Sequence, residues 1–302
     1  MLRVLTSLLL VTQNHALSES CSSEPIGALV NVTAYPMLRD GQRGSEDSIA
    51  WARAALNTTG VASFPGFLTN EALASAVREA VQSSSSAWIT DSTHNAWQTE
   101  SNSSLPSQHI ANLFMRTRVA SIAYDNIGPT LRALYESPEL LTFLSELLGK
   151  RLYRLADPLG ACSINVFRTG WDHAWHFDEA EYTVTLSLQQ AKEGGEFLFT
   201  PPLRRSSADH ATEAVASVLR AETELVFELP GLATRELPAV PVHTAPFDPG
   251  TLQVFAGRYS LHAVKRTRGH PERLVAVLCF ATEPGVMNSP AVQEMFWGRR
   301  AE

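Results

Sequence analysis

Cysteine is scarce in this chain, and long basic or apolar runs are missing. The three cysteines, Cys21, Cys162 and Cys279, include no pair at CxxC spacing, which argues against a structural zinc site. Cys162 and Cys279 lie in apolar runs and are predicted to be reduced core residues. No Lys/Arg run exceeds two and the formal net charge is -7, so a nucleic-acid partner is not expected. No stretch is apolar enough to span a membrane.

The first 18 residues combine one arginine with an apolar run too short to cross a bilayer. This pattern is typical of a secretory signal or of the start of an organelle-targeting signal. Three N-x-S/T sequons, at Asn31, Asn57 and Asn102, are compatible with a secretory route. A frayed N-terminal helix is the alternative. The sequence therefore predicts a candidate targeting segment over residues 1–18, and otherwise a cytoplasmic protein.

Helical patterns fill most of residues 19–149. Two helices are separated at Ser137-Pro138, and the second ends at Gly149. Residues 83–108 are rich in Ser, Asn and Thr and predict an irregular loop, whereas residues 110–149 are predicted to be helical. Because long loops in compact domains often serve function, this loop is expected on the substrate side of a site.

Residues 150–302 change to short β-type runs between turn residues. The predicted strands are ACSINVF, YTVTLSLQ, GEFLFTP, ELVFEL, TLQVFAG and RLVAVLCFA, and one helix pattern, DHATEAVASVLRAE, interrupts them. Many short strands with turn signals favour a sandwich or barrel. The chain is therefore predicted to be an α+β protein, with a helical N-terminal region packed on an all-β C-terminal half.

A metal site is indicated by the segment WHFDEAEYTVTLSL. His176 and Asp178 are two residues apart, so in an extended segment both side chains point to one face. The best third ligand is His262, in the later run PGTLQVFAGRYSLHAV. Two histidines and one carboxylate are the ligand set of non-haem Fe(II) oxygenases, which leaves coordination positions open.

Two further residues suit a carboxylate cosubstrate. Arg273 opens the last apolar strand, and a buried guanidinium there could hold a carboxylate by two parallel hydrogen bonds. Asn165 lies on the strand before the His-x-Asp turn and could donate to a cosubstrate oxygen.

The whole set resembles the 2-oxoglutarate/Fe(II)-dependent oxygenases over roughly residues 150–285. It comprises His-x-Asp before a strand, then GGEF, PGTLQVF, a histidine, and an arginine before an apolar strand. The resemblance implies a double-stranded β-helix (jelly-roll) core that uses Fe(II), 2-oxoglutarate and O2. It implies iron ligands at His176, Asp178 and His262, with Arg273 on the distal carboxylate and Asn165 helping to hold the cosubstrate.

A narrower resemblance covers more of the chain. LYESPELLTFLSELLG, ADPLGACSINVFRTG, WHFDEAEYTVTLSLQ and the closing FWGRR are similar to a branch that includes carrier-free amino-acid hydroxylases and radical halogenases. Halogenases of that branch have Gly or Ala where this chain has Asp178, so the resemblance implies hydroxylation. Two departures concern the cosubstrate pocket: Phe167 stands where many relatives have Tyr, and Val275 where many have Ser.

Substrate contacts are the least determined part of the site. His173 is a candidate at the pocket rim, with a surface-turn histidine as the alternative. His94 and Asn95 resemble a segment that approaches the substrate in the same branch, with a solvated loop as the alternative. Phe296-Trp297 is expected to pack the C-terminal tail over the barrel.

These observations predict a dioxygenase that hydroxylates an unactivated C–H bond of a small molecule, with a free amino acid as one candidate, and that releases succinate and CO2. A hydroxylase of a peptidyl side chain is the second interpretation. A non-catalytic jelly-roll binding module is the third, and the complete ligand triad argues against it because such a module needs no open coordination positions.

Overall fold

The computed structural model describes residues 25–39, 46–227 and 237–301. The candidate targeting segment, residues 1–18, and Cys21 lie outside the described residues. Among the helices in those three ranges, none has the length and apolar character that crossing a membrane requires.

The described residues form helices and strands in the following order. The α-helices are α1 Ile26–Leu29, α2 Glu46–Thr58, α3 Asn70–Gln82, α4 Pro129–Glu136, α5 Pro138–Leu148, α6 Thr212–Glu222 and α7 Pro290–Trp297. The strands are β1 Val61–Phe64, β2 Trp88–His94, β3 Met115–Ile122, β4 Tyr153–Arg154, β5 Cys162–Phe167, β6 His173–His176, β7 Tyr182–Gln189, β8 Phe197–Pro202, β9 His243–Thr244, β10 Leu252–Phe255, β11 Ser260–Val264 and β12 Arg273–Ala281.

Two antiparallel sheets build the predicted jelly roll. The major sheet has the order β1-β10-β7-β12-β5-β3-β2, with β4 paired to β12, and the minor sheet has the order β6-β11-β8-β9. Strand β7, in the middle of the major sheet, shows how the layers arise. Its Val184, Leu186 and Leu188 lie in the core cluster that also contains helix residues, whereas Thr183 and Thr185 line a cavity inside the barrel. Because side chains alternate along a strand, one face of β7 packs against the helices and the other faces the interior of the barrel, where a site can form.

The predicted helix boundaries are confirmed where capping residues set them. Ser137 accepts a hydrogen bond from the Leu140 backbone and begins α5, and Gly149 ends that helix in the left-handed conformation, with φ of 63°. The predicted break at Ser137-Pro138 therefore separates α4 from α5.

Two strands arise where the sequence predicted none. Residues 88–94 and 115–122 form β2 and β3, so the predictions of an irregular loop over 83–108 and of helix throughout 110–149 are wrong there. Strand β3 pairs with β5, and its inner residues are fully buried. This tertiary pairing overrides the local pattern. Strands β1, β2 and β3 all precede residue 149, where the predicted helical region ends. The major sheet is therefore formed by residues from both the N-terminal region and the C-terminal half.

The predicted strand ELVFEL is not formed in its described part. Residues 224–227 carry no strand and pair with no strand of the described residues, and Val226 is 89% exposed. Residues 228 and 229 of the same run lie outside the described residues.

The two described cysteines are free thiols, and they differ in burial. Cys162, on β5, is fully buried among core residues, as predicted. Cys279 is only partly buried, because its position on β12 lets it contact a cavity inside the barrel.

Candidate metal centre

Two neighbouring strands of the minor sheet bring the predicted metal ligands together. His176 on β6 and His262 on β11 are direct register partners, and their ring centroids lie 4.2 Å apart. Asp178 follows the end of β6. Its Oδ1 lies 3.4 Å from Nε2 of His176 and 3.3 Å from Nε2 of His262. One ligand atom of each residue lies within 4.8 Å of the others, so the three can hold one metal ion.

Backbone carbonyl groups fix how the two imidazoles are turned. Nδ1 of His176 donates to the carbonyl of Ala174 at 2.8 Å, and Nδ1 of His262 donates to that of Ser260 at 2.9 Å. In each case the Nδ1–H is committed to the strand, which leaves Nε2 as the ligand atom facing Asp178. Metal-binding histidines are commonly oriented in this way, so the donor set fits a metal.

Burial and charge act against each other at the three ligands. Burial by itself would raise the pKa of Asp178, but the charge of His262 and the hydrogen bonds with both histidines hold it well below its usual range. Burial by itself would lower the pKa of His262, but Asp178 raises it above the ordinary value. Burial and the charge of His262 lower the pKa of His176. Without metal, the surroundings of the site therefore favour an anionic Asp178 and a protonated His262.

That proton predicts how metal affinity depends on pH. A histidine must be neutral to bind a metal ion, so metal binding displaces the proton from His262. Below the raised pKa of His262 we expect affinity for Co(II) to fall about tenfold per pH unit, as the loss of one proton requires, and above that pKa to become level. Calorimetric titrations in buffers of different ionisation enthalpy measure the released proton. An affinity that does not change between about pH 6 and pH 8 would contradict this assignment.

A cavity of about 80 Å³ lies beside the triad and contains Arg273. The guanidinium is 6% exposed and lies over the rings of Phe167 and Phe247, 5.2 and 5.7 Å from their centroids. Burial lowers the pKa of Arg273 to about 10, so it stays cationic at neutral pH. Among the described residues, no carboxylate forms an ion pair with Arg273, and a buried unpaired charge is costly. The cavity is therefore suited to an anionic ligand.

Glycine makes room for this arginine. A Cβ atom at residue 195 would lie 2.7 Å from Cδ of Arg273, so a side chain at this position would clash with the arginine side chain. Gly195 also has φ of 78°, in the left-handed region. The sequence did not indicate this contact between Gly195 and Arg273.

Asn165 lies where the sequence predicted, on β5 and in the walls of both cavities beside the triad. Its Oδ1 accepts a hydrogen bond from Oγ of Ser121 at 3.0 Å. Because the oxygen is engaged, the amide nitrogen is the group left to donate to a cosubstrate. Ser121, which sets this orientation from the unpredicted strand β3, was missed by sequence reasoning.

His173 is not a surface-turn residue. It is 7% exposed on β6, and its ring stacks on that of His176 with 3.9 Å between centroids. Its Nε2 is buried and has no hydrogen-bond partner among the described residues. His173 therefore offers a free polar atom at the metal centre.

His94 and Asn95 are not among the described residues that line the two cavities beside the triad, although the ring of His94 lies 5.7 Å from the ring of His176. His94 receives a hydrogen bond from Oγ1 of Thr117 at 2.6 Å, and that oxygen accepts from the backbone of Ala174 on β6. Burial lowers the pKa of His94 to about 4, which keeps it neutral. The side chain of Asn95 bonds to Thr99 and Ala111 within its own loop. These contacts support strand β6 and the loop, and they give no support to the predicted substrate contacts.

A second cavity, also of about 80 Å³, lies beside the triad and is walled by α7. Within the part of the chain that the structure describes, three buried polar atoms of its lining residues have no hydrogen-bond partner: Oε1 of Gln98, Nε2 of His173 and Nε1 of Trp297. Phe296 and Trp297 were expected only to pack the tail over the barrel. They are buried as expected, and they also form part of this wall.

The jelly roll, the His-Asp-His cluster and the unpaired arginine beside it define the class of iron(II)- and 2-oxoglutarate-dependent oxygenases. The comparisons with known proteins agree with this class. The chain belongs to the family described as Halogenase D, whose sequence model matches residues 45–296. No curated protein matches the chain.

Solved structures of similar fold include two enzymes of nogalamycin biosynthesis. The non-haem α-ketoglutarate-dependent epimerase SnoN is 16% identical, with a TM-score of 0.53 over 78% of this chain and 84% of that one. SnoN has also been solved with Fe3+, α-ketoglutarate and nogalamycin RO, at 15% identity and a TM-score of 0.52 over the same shares. The α-ketoglutarate-dependent carbocyclase SnoK is 16% identical, with a TM-score of 0.50 over 83% of this chain and 92% of that one. At these identities the likeness shows the fold.

Proposed function

We propose that the protein hydroxylates an unactivated C–H bond of a small polar molecule, with a free amino acid as the first candidate. The observation that carries this proposal is the complete ligand set: Oδ1 of Asp178 faces both histidine Nε2 atoms. The name of the family refers to halogenation, but the resemblance of the sequence places Gly or Ala at this position in halogenases. A carboxylate here occupies the place that a halide would need.

The Arg273 cavity suits the cosubstrate. The planar guanidinium can bind the distal carboxylate of 2-oxoglutarate through two parallel hydrogen bonds, and Asn165 can donate to another of its oxygens. The rings of Phe167 and Phe247 flank the guanidinium and exclude water from the ion pair. An ion pair shielded in this way is stronger than one in water.

The cavity beside α7 suits the substrate. Its volume of about 80 Å³ admits a small molecule or one side chain. The unpartnered atoms of Gln98, His173 and Trp297 each need a ligand group, because an unsatisfied buried polar atom costs about 1–3 kcal/mol. Glu179 also lines this cavity, and one of its carboxylate oxygens already accepts a hydrogen bond from the Ser289 backbone N–H at 2.6 Å. A free amino acid carries both donors and acceptors at short spacing, as these walls require.

When bound, iron supplies the oxidation, in which O2, 2-oxoglutarate and the substrate become the hydroxylated product, succinate and CO2. The protein binds the two organic molecules in adjoining cavities, orients the C–H bond and excludes water. His173, Asn165, His176 and Asp178 line both cavities, so they form the partition between cosubstrate and substrate, whereas His262 lines the Arg273 cavity.

The Trp297 indole N–H gives a prediction for substrate affinity. Trp297→Phe keeps an aromatic wall but removes the buried donor. We expect the KM for the substrate to rise about tenfold, which corresponds to one hydrogen bond. We expect the affinity for iron and 2-oxoglutarate to stay unchanged. Trp51→Phe, on a half-exposed surface residue, is the control. A substrate KM that is unaltered in Trp297→Phe would remove this residue from the substrate site.

A peptidyl substrate is the second candidate, and one observation favours it. A surface groove of about 510 Å³ also reaches His173, and its rim carries Arg116, Lys265 and Arg266. A segment of polypeptide lying in this groove could present one side chain near the metal centre. The small volume of the α7 cavity favours the free molecule as the first candidate.

A substrate screen tests the proposal. The protein loaded with Fe(II) and 2-oxoglutarate is supplied with free amino acids, and separately with peptides, while oxygen uptake, succinate and product mass are measured. We expect one free amino acid to be converted to a product heavier by one oxygen atom, with one succinate formed per molecule of product. Product from peptides alone would favour the second candidate. A chlorinated product in the presence of chloride would overturn hydroxylation, and failure to bind iron or 2-oxoglutarate would favour the binding module.

A further inference from the structure

The two oxygens of the Asp178 carboxylate lie in different surroundings. Oδ1 faces the metal-binding nitrogens of both histidines, at 3.4 and 3.3 Å. Oδ2 accepts a hydrogen bond from Oγ1 of Thr183 at 2.6 Å. One oxygen therefore points to the metal position, and the other is bound by the protein.

Thr183 is rigidly placed. It lies on β7 in the middle of the major sheet, opposite Phe255 on one neighbouring strand and Cys279 on the other. Its side chain is 2% exposed and turns into the barrel, in the same cavity as Arg273. A hydroxyl on a paired central strand cannot follow a moving carboxylate, so the hydrogen bond fixes the carboxylate plane.

Gly257 packs against the same carboxylate oxygen, Oδ2 of Asp178. Its carbonyl accepts a hydrogen bond from the Asp178 backbone at 3.0 Å. A Cβ atom at residue 257 would lie 2.2 Å from Oδ2 of Asp178 and 2.5 Å from Oγ1 of Thr183. Any side chain at this position would displace the carboxylate or the hydroxyl.

We propose that Thr183 and Gly257 hold Asp178 as a one-oxygen ligand, so that the carboxylate takes a single position on the metal. This inference rests on the proposed function, because its consequence concerns the binding of 2-oxoglutarate. Carboxylates bind metals through one oxygen or through two. Two imidazoles and one oxygen leave three of six positions open, enough for a chelating 2-oxo acid and O2. A carboxylate bound through both oxygens would leave only two. Thr183 is thus a positioning residue for the open side of the metal.

The test uses the full chain loaded with Co(II) under anaerobic conditions, because the visible spectrum of Co(II) reports its coordination number. Thr183→Val keeps the branched shape and removes the hydroxyl, and Thr183→Ser keeps the hydroxyl. We expect wild type and Thr183→Ser to share one Co(II) spectrum. We expect Thr183→Val to bind Co(II) within about tenfold of wild type, to give an altered spectrum, and to bind 2-oxoglutarate at least about tenfold more weakly. Melting temperatures establish that each variant is folded.

A second pair of variants tests the glycine. Gly257→Ala is expected to lower Co(II) affinity at least about tenfold, because the new methyl group displaces Oδ2. Gly27→Ala is the control, since a Cβ atom there meets no atom closer than 3.6 Å. Equal Co(II) affinity in Gly257→Ala and wild type would overturn the role of Gly257.

The outcomes separate this inference from the proposed function. A spectrum and 2-oxoglutarate affinity in Thr183→Val equal to those of wild type would overturn the inference. Complete loss of Co(II) binding in Thr183→Val, with Thr183→Ser normal, would also overturn it, because Thr183 would then be needed for binding itself. If wild type binds Co(II) but not 2-oxoglutarate, the proposed function fails, while the comparison of the two Co(II) spectra still tests the carboxylate.

Discussion

His262→Ala is expected to lower the affinity for iron(II) by more than about 100-fold and to stop the turnover of 2-oxoglutarate. Loss of an outer contact to a metal ligand typically costs 10–100-fold in affinity, so loss of the ligand itself costs more. His262 is the register partner of His176, so its replacement removes the ligand that β11 contributes to the site. Anaerobic titration with Fe(II) or Co(II) measures the affinity, and succinate release measures the turnover.

His243 gives a matched control for this experiment. It lies in the same minor sheet, on β9, and is paired in register with Phe199 rather than with a metal ligand. His243→Ala should bind metal as wild type does. Retained tight binding in a folded His262→Ala would contradict the triad, whatever the activity.

Arg273→Met is expected to weaken the binding of 2-oxoglutarate without lowering the melting temperature of the protein. These two effects together would identify the arginine as a ligand-binding residue. Breaking a buried ion pair costs about 3–5 kcal/mol, so the KM for 2-oxoglutarate should rise by about 10²- to 5 × 10³-fold. Without 2-oxoglutarate, the melting temperature should stay the same or rise, because a buried guanidinium without an ion-pair partner is replaced by an apolar side chain of similar length. Iron affinity should not change, since the ligand triad is untouched.

Two further variants sharpen that experiment. Arg273→Lys should also bind 2-oxoglutarate weakly, because a single ammonium does not form two parallel bonds with a carboxylate. Arg266→Met is the control, since Arg266 pairs with Asp172 at the surface at 2.9 Å. An unchanged KM in Arg273→Met would mean that 2-oxoglutarate binds elsewhere. A large fall in melting temperature without 2-oxoglutarate would make the arginine a structural residue.

The metal ligands were predictable because their geometry is local or follows from alternation along strands. His176 and Asp178 share a face through their spacing of two residues, and two later β-type runs supplied His262 and Arg273. The helix pair around Ser137-Pro138 was predictable for the same reason: the capping residues and the helix break lie next to each other in sequence.

What escaped prediction depends on contacts between distant strands. Thr183 and Gly257 contact the same carboxylate oxygen, and Gly195 makes room for Arg273, but no pattern in a single sequence states which residues approach so closely. The strand character of residues 115–122 comes from pairing with β5 and not from local preference. His94 resembled a segment that approaches the substrate, with a solvated loop as the alternative, and neither pattern indicated its hydrogen bond to Thr117, which links it to the strand carrying His176.

The most direct test of the central claim is made without oxygen. Fe(II) and 2-oxoglutarate are added to the purified protein, and the weak visible charge-transfer band of the iron chelate is recorded for wild type and for His176→Ala. We predict a band in wild type that is lost in His176→Ala, which would establish the metal and the cosubstrate at one site. A wild-type protein that contains iron and binds 2-oxoglutarate, yet shows no band, would contradict it.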